Sequence, residues 1–288
     1  MDFSADFLRF LAIEDAVLVT IESTQGSAPR ASGTWMAVFA KDLVGTIGGG
    51  HVEFEAIATA RQRLANPQVT TEPYSQRYVL GPSLGQCCGG VMTLRYQKVS
   101  ISGSKYAGKV HNWALDPTLA AILHPALQPV ALFGGGHVGK ALVRVFSTLP
   151  MQVTWIDSRD EIFPAELPTN VVCEHSDPVQ AAVNDLAAGS HVLIMSFSHA
   201  EDLDIVAACL QRQREKADLP FTGLIGSKTK WATFRHRLEA RGFTEAELAH
   251  ITCPIGLDCI AGKEPEVIAV SAAAQLLQLR IFTPYIGL

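Results

Sequence analysis

Three segments of this 288-residue chain carry residue types that do chemistry. The first, FGGGHVGKALV, sets Gly134, Gly136 and Gly139 in the spacing G-x-G-x-x-G, with Gly135 and His137 between them. The three glycines of that pattern permit, in turn, a tight turn, close approach of the backbone to a phosphate, and close packing of helix on strand. The N–H groups and dipole at the start of the following helix attract an anion. Asp157 lies 21 residues after Gly136, at the end of the next apolar run. A carboxylate there accepts hydrogen bonds from a ribose hydroxyl. The set points to a nucleotide or another phosphate-bearing ligand; the alternative is glycines that serve packing alone.

The second segment, Gly48-Gly49-Gly50-His51, repeats the GGGH of the first between an apolar run and a helical pattern. It is either a second anion nest or a turn that happens to share the letters. His51 and His137 could each donate to an anion or simply cap a helix. Arg30, in the turn SAPRASG, offers a planar guanidinium that can grip a phosphate, or is a solvated turn residue. The third segment holds Cys87-Cys88 in the glycine-bounded loop LGPSLGQCCGG. An exposed, low-pKa thiolate pair suits a soft metal centre, whereas a packed turn would make the pair inert. Lys228 and Lys230, after Gly226-Ser227, either meet anionic groups or line a solvated helix face.

The elements that must position these residues follow from periodicity. A short helix with Phe3, Phe7, Phe10 and Leu11 opens the chain. Strands are expected at Val17–Ser23, in TWMAVFA, in LVGTIGG, near Gln76–Leu80 and in GVMTLRYQ, with a helix over His51–Asn66 between the third and fourth. This half reads as a small α+β domain with antiparallel strands, residues 1–105. Polar residues and glycines then dominate, and a linker region is placed at 106–128, with a short helix running to Leu123. From 129 to 288 strands and helices alternate. Strands are expected at Val130–Phe133, Val153–Asp157, Val171–Cys173, Val192–Phe197, Phe221–Ile225 and Ile251–Cys253. Helices lie between them, including one through Ala187, and a last one covers Glu264–Leu279. The fold class is therefore α/β: a Rossmann-like, doubly wound parallel sheet behind a smaller α+β domain.

Composition removes several classes of function. A formal charge of −5 and a pI near 6.0 give no basic face for nucleic acid. The start lacks a basic stretch leading into an apolar one, and the longest apolar runs are too short for a bilayer. A soluble, cytoplasmic protein is expected, with no nucleic-acid or membrane partner. Six cysteines occur without a CxxC, which argues against a structural zinc site. Cys173 and Cys209 fall in apolar patterns and read as buried thiols. No Ser-His-Asp order or paired-carboxylate motif stands out.

A Rossmann loop by itself suggests an NAD(P)-dependent oxidoreductase. GSAPRASGTWMAV, GTIGGGHVE, LGPSLGQCCGG, FGGGHVGKALV, GLIGSKTKW and CPIGLDCIAGKEPEVIAVSAAAQLL redirect that reading. In this order and spacing they resemble the XdhC/CoxI family, from about residue 16 to 280. The resemblance implies a carrier and chaperone, not a turnover enzyme: it binds the molybdenum cofactor (molybdopterin) and protects it. A cysteine desulfurase helps to install the sulfido ligand, and the cofactor passes to the large, molybdenum-bearing subunit of xanthine dehydrogenase. A homodimer is a further implication. In this frame the cofactor phosphate would sit on Gly134–Gly139 or on Gly48–Gly50, Arg30 could hold the phosphate or a pterin edge, and Cys87-Cys88 would face the metal. NAD(P) or another nucleotide in the Rossmann half is the competing cofactor. Where the family carries a Thr-His-x-His-like segment, this chain has SFSHAEDLD and keeps only His199. Cys259 stands where a small residue is usual and takes no role from the resemblance.

Overall fold

A computed structural model describes residues 3–66, 72–81, 89–99 and 127–279. These residues form two compact units, one on each side of the interval 100–126. The expected linker and the short helix ending at Leu123 lie outside the described residues, except that Gln128 already belongs to a strand. Cys87-Cys88 and most of their loop also lie outside them.

The first unit opens with helix α1 (Phe3–Leu11), then strands β1 (Ala16–Gln25), β2 (Trp35–Val38) and β3 (Leu43–Gly45). Helix α2 (Gly50–Ala65) and strands β4 (Tyr74–Val79) and β5 (Val91–Val99) complete it. The sheet is antiparallel, in the order β3-β2-β1-β5-β4. Strand β1 has period-two residues apolar on both sides, so each face of the sheet carries its own core. Val17, Val19 and Ile21 pack with Val52, Ala56 and Ala60 of α2, whereas Ala16 and Leu18 pack with Phe7 and Leu11 of α1. Under α2, the buried hydroxyls of Tyr78 and Tyr96 share a 2.6 Å hydrogen bond.

In the second unit β6 (Gln128–Phe133), α3 (His137–Phe146), β7 (Met151–Asp157) and β8 (Val171–His175) lead into β9 (His191–Ile194). Then come α4 (His199–Lys216), β10 (Phe221–Leu224), α5 (Lys228–Glu239), α6 (Glu245–Leu248), β11 (Ile251–Thr252) and α7 (Pro265–Leu279). All strand pairs are parallel, in the order β11-β10-β9-β6-β7-β8. Strand order thus reverses at β6, which lies between β7 and β9, and ligands of such sheets bind at the strand ends beside that reversal. Strands buried on both faces read as continuous apolar runs. Ala131 and Phe133 enter one core with α4 and α5, and Val130 and Leu132 enter the other with α3 and α7.

Two local expectations change. The helix foreseen up to Ala187 is a 3-10 segment, Val179–Asp185. Pro178 precedes it and keeps Asp177 from helical geometry, so only a short tight coil fits before β9. The strand expected to reach Phe197 stops at Ile194, because the Ser196 N–H leaves the ladder and donates to the Asp202 carboxylate at 2.8 Å. The capping box foreseen at Thr244 and Glu247 is present and starts the single turn of α6.

Candidate functional site

The glycine loop Gly134–Gly139 joins β6 to α3. Gly134 has φ +123°, and a Cβ there would stand 2.0 Å from the Met195 carbonyl oxygen. Its own carbonyl accepts the Trp155 indole N–H at 2.9 Å. A Cβ on Gly139 would meet that same Gly134 oxygen at 2.0 Å, which is the close helix–strand packing expected of the last glycine. Gly136 differs: its φ of −70° is ordinary, and a Cβ would meet nothing within 4 Å. The N–H groups of Gly136, His137 and Val138 have no acceptor among the described residues, and His137 is exposed. This open face with free donors is what an anion requires.

Asp157 does not offer the free carboxylate expected of it. It is 2% exposed, and its oxygens accept from the Gly135 N–H at 2.6 Å and the Arg159 N–H at 2.9 Å. The Arg159 guanidinium adds Nε at 2.8 Å and Nη2 at 2.9 Å. Burial works to raise the Asp157 pKa, but the hydrogen bonds from Arg159 and Gly135 outweigh it, and the carboxyl titrates below its ordinary value. Arg159 in turn lies over the ring of the exposed Phe197, 4.4 Å from its centroid. Ser158 Oγ donates to Glu201 at 2.7 Å, and the Phe197 N–H donates to the other oxygen of Glu201. Ile162 covers Gly135, where a Cβ would approach it to 2.5 Å. Arg159 and Phe197 carried no periodic signal; the pair Asp157-x-Arg159 was the available clue.

Lys230 is neither ligand-facing nor solvated. Its ammonium donates to the buried Asp202 at 2.6 Å and to the Ile225 carbonyl at 2.8 Å. Asp202 also accepts from Ser196 Oγ, so this pair ties the start of α4 to that of α5. Lys228 is exposed. His199, also exposed, opens α4 after its cap Ser198, with its ring edge-on to Phe234.

In the first unit Gly48, Gly49 and Gly50 have φ values of +119°, +76° and +73°. Glu53, one turn into α2, folds back on the loop and accepts from the Ile47 and Gly49 N–H groups at 2.9 and 3.0 Å and from Thr46 Oγ1 at 2.5 Å. His51 pairs with Glu55 at 3.1 Å. A Cβ on Gly48 would meet Pro29 at 2.8 Å and the Arg30 stem at 3.1 Å, so the SAPRASG turn lies against this loop, and Arg30 itself is exposed. A Cβ on Gly90 would stand 2.4 Å from the Ser27 carbonyl oxygen. The structure thus gathers the Arg30 turn, the Gly48–Gly50 loop and the residues that follow Cys87-Cys88.

Among the described residues no group of three or more His, Cys, Asp or Glu could hold a metal ion. Cys173, Cys209, Cys253 and Cys259 are free thiols. Cys209 is fully buried, and burial pushes its pKa up to about 12; Cys173 is only half-buried. The segment after β11 lines an open pocket of about 230 Å³ against α7. The N–H groups of Gly256 and Leu257 on its wall already donate to Gln275 and Ser271. No described helix is long and apolar enough to cross a membrane.

Residues 130–276, just over half of the chain, match the model of the XdhC Rossmann domain, and residues 12–75 match that of the XdhC and CoxI family. A crystal structure described as a xanthine dehydrogenase from Bacillus halodurans shares 19% identity at a TM-score of 0.73, over 97% of this chain and 96% of that one. The uncharacterized protein YqeB of Escherichia coli is 24% identical over 93% of this chain, and the chain spans 44% of that relative's length.

Proposed function

The chain belongs to the XdhC family, and on that premise we propose that it is a maturation factor for a molybdenum enzyme. In this reading it binds the molybdenum cofactor, shields it and supports its sulfuration by a cysteine desulfurase. It then hands the cofactor to the large subunit of xanthine dehydrogenase, acting as a homodimer in the cytoplasm. The observation that supports the reading is the gathering of three motifs in the first unit. Gly26-Ser27 lies against Gly90, Arg30 lies against Gly48, and Cys87-Cys88 precede Gly89 directly in the chain.

The cofactor would bring a phosphate and a soft, sulfur-held metal. Each unit by itself carries donors of a kind such a ligand accepts. Backbone N–H groups of Gly136, His137 and Val138 are free for a phosphate among the described residues. Arg30 is an exposed cation, and vicinal thiolates are soft donors. A carrier also needs no general acid or base beside the metal, and none is asked of these residues.

The competing reading, an NAD(P)-dependent oxidoreductase, rests on Gly134, Gly136, Gly139 and Asp157. An NAD-type ribose needs a free carboxylate, and Asp157 has none to give. The deciding experiment is anaerobic purification from a molybdate-fed host, followed by metal analysis. About one molybdenum per chain is expected. Serine at both Cys87 and Cys88 should lower the molybdenum content and leave the melting temperature unchanged, because serine oxygen is hard and stays protonated near neutral pH. A protein that holds no molybdenum, but binds NAD(P) and oxidises a substrate with it, overturns the reading.

A further inference from the structure

In a Rossmann sheet the acid ending the second strand ordinarily reads a ribose diol, and a nearby arginine accommodates a phosphate there instead. Here both residues are present, and the arginine holds the acid. A carboxylate offers about four lone-pair sites. On Asp157 four donors fill them: the Gly135 N–H, the Arg159 N–H, Arg159 Nε and Arg159 Nη2. No acceptor is left for a hydroxyl.

Arg159 is in the opposite condition. A guanidinium has five N–H donors, and Nη1 has no partner among the described residues. Its side chain is 36% exposed, so the unused edge reaches solvent. Asp157 fixes its plane from one side, and the Phe197 ring supports its face. Because β6 lies between β7 and β9, Arg159 (after β7) and Phe197 (after β9) meet across the end of β6, which carries the glycine loop. Glu201, the neighbouring carboxylate, is taken by Ser158 Oγ and the Phe197 N–H. A preorganised cation beside free backbone donors favours a compact dianion, which accepts several charge-assisted hydrogen bonds at once.

We propose that this crevice recognises a phosphomonoester where a diol is usually read, with Arg159 as the specificity residue. Two sources carry that chemistry, a 2′-phosphorylated nucleotide and a phosphorylated pterin. The pterin source rests on the carrier reading above; the nucleotide source does not.

The test is calorimetric titration of the full chain with matched pairs: 2′,5′-ADP against 5′-AMP, and a phosphorylated pterin against its dephosphorylated form. At least one phosphorylated ligand should bind about tenfold or more tightly than its partner, and the pair that shows the difference identifies the source. Arg159→Met should erase the difference and Arg159→Lys should restore part of it. Arg159→Met leaves Asp157 uncompensated, so Arg159→Met with Asp157→Asn is titrated beside it, and melting temperatures confirm that both are folded. Equal affinity within both pairs, no binding of either phosphorylated ligand, or discrimination that survives in a folded Arg159 variant overturns the proposal. The two readings fail separately. Cofactor uptake without phosphate discrimination leaves the carrier and removes the Arg159 role. Discrimination between 2′,5′-ADP and 5′-AMP without cofactor uptake does the reverse.

Discussion

The pentapeptide GGGHV occurs twice, at Gly48–Val52 and Gly134–Val138, each time between a strand and a helix, and it folds in two ways. In the first copy all three glycines take positive φ and the helix begins at the third glycine. In the second only Gly134 does, Gly136 is the N-cap, and the helix begins at the histidine. A carboxylate takes one glycine N–H in each copy, but its origin differs. Glu53 is four residues from Gly49 and closes the first loop from within its own helix. Asp157 is 22 residues from Gly135 and reaches the second loop from the neighbouring strand. A loop clamped locally can keep its shape wherever its helix goes. One clamped by the next strand is correct only when the sheet is assembled. Both copies leave N–H groups without an acceptor among the described residues, at Gly50 and His51 in the first and at Gly136 to Val138 in the second, but on loops of different backbone shape.

The widest gap between the copies is expected at their first glycines. Gly134→Ala places a Cβ against backbone at a left-handed φ and should destabilise the Rossmann unit by about 2–5 kcal/mol in urea unfolding. Gly48→Ala is also strained but meets mainly the Pro29 and Arg30 side chains in an exposed turn, so about 1–2 kcal/mol is expected. Equal losses would mean that the two loops are clamped alike.

Next come the clamps. Asp157→Asn breaks a pair whose acid is buried and should cost about 2–3 kcal/mol, less than a fully buried pair because Arg159 is partly exposed. Glu53→Gln keeps one acceptor oxygen for Ile47 and Gly49 and should cost about 1 kcal/mol. The Asp157 pKa is lowered in the fold, so its contribution is complete above the unfolded value near 4 and is lost as pH falls through the folded value. Acid unfolding should therefore move to lower pH in Asp157→Asn relative to its own neutral stability. An unchanged midpoint would assign the acid sensitivity to other groups.

A smaller effect is expected at His191, where burial lowers the pKa and Nδ1 has no partner. The native state keeps this ring neutral, while the unfolded chain takes up a proton below about pH 6.5. Stability conferred by the second unit should then fall from about pH 6.5 downward, by at most about 1.4 kcal/mol per pH unit. His191→Leu should flatten that slope in denaturant titrations between mildly acidic and neutral pH. The smallest change in stability belongs to Gly136→Ala, under about 0.5 kcal/mol, because its φ is ordinary and its Cβ would point into open space. Its ligand affinity should nonetheless fall, and unchanged affinity would move the phosphate to the first copy.

Periodicity located nearly every element, because strands buried on both faces and helices with one apolar face leave a direct imprint on residue order. It failed between Ser176 and Gly189, where buried Val179, Ala182 and Val183 have helical spacing but Pro178 and the short span allow only 3-10 geometry. The glycine pattern was legible for the same reason: Gly134 and Gly139 answer to backbone clashes that any side chain would cause. The spacing of Asp157 was legible too, but its use was not.

Residue order by itself determined the two-part α/β architecture, the place of each glycine loop and the membership of the chain in its family, since all of these rest on local pattern. Tertiary structure decided which charges remain available. Asp157 and Lys230 looked like ligand groups in one dimension, and each is taken by a partner, Arg159 two residues on or Asp202 from another helix. Whether a charge is free depends on what lies within about 3 Å of it, and spacing along the chain does not report that distance for groups brought together by a sheet.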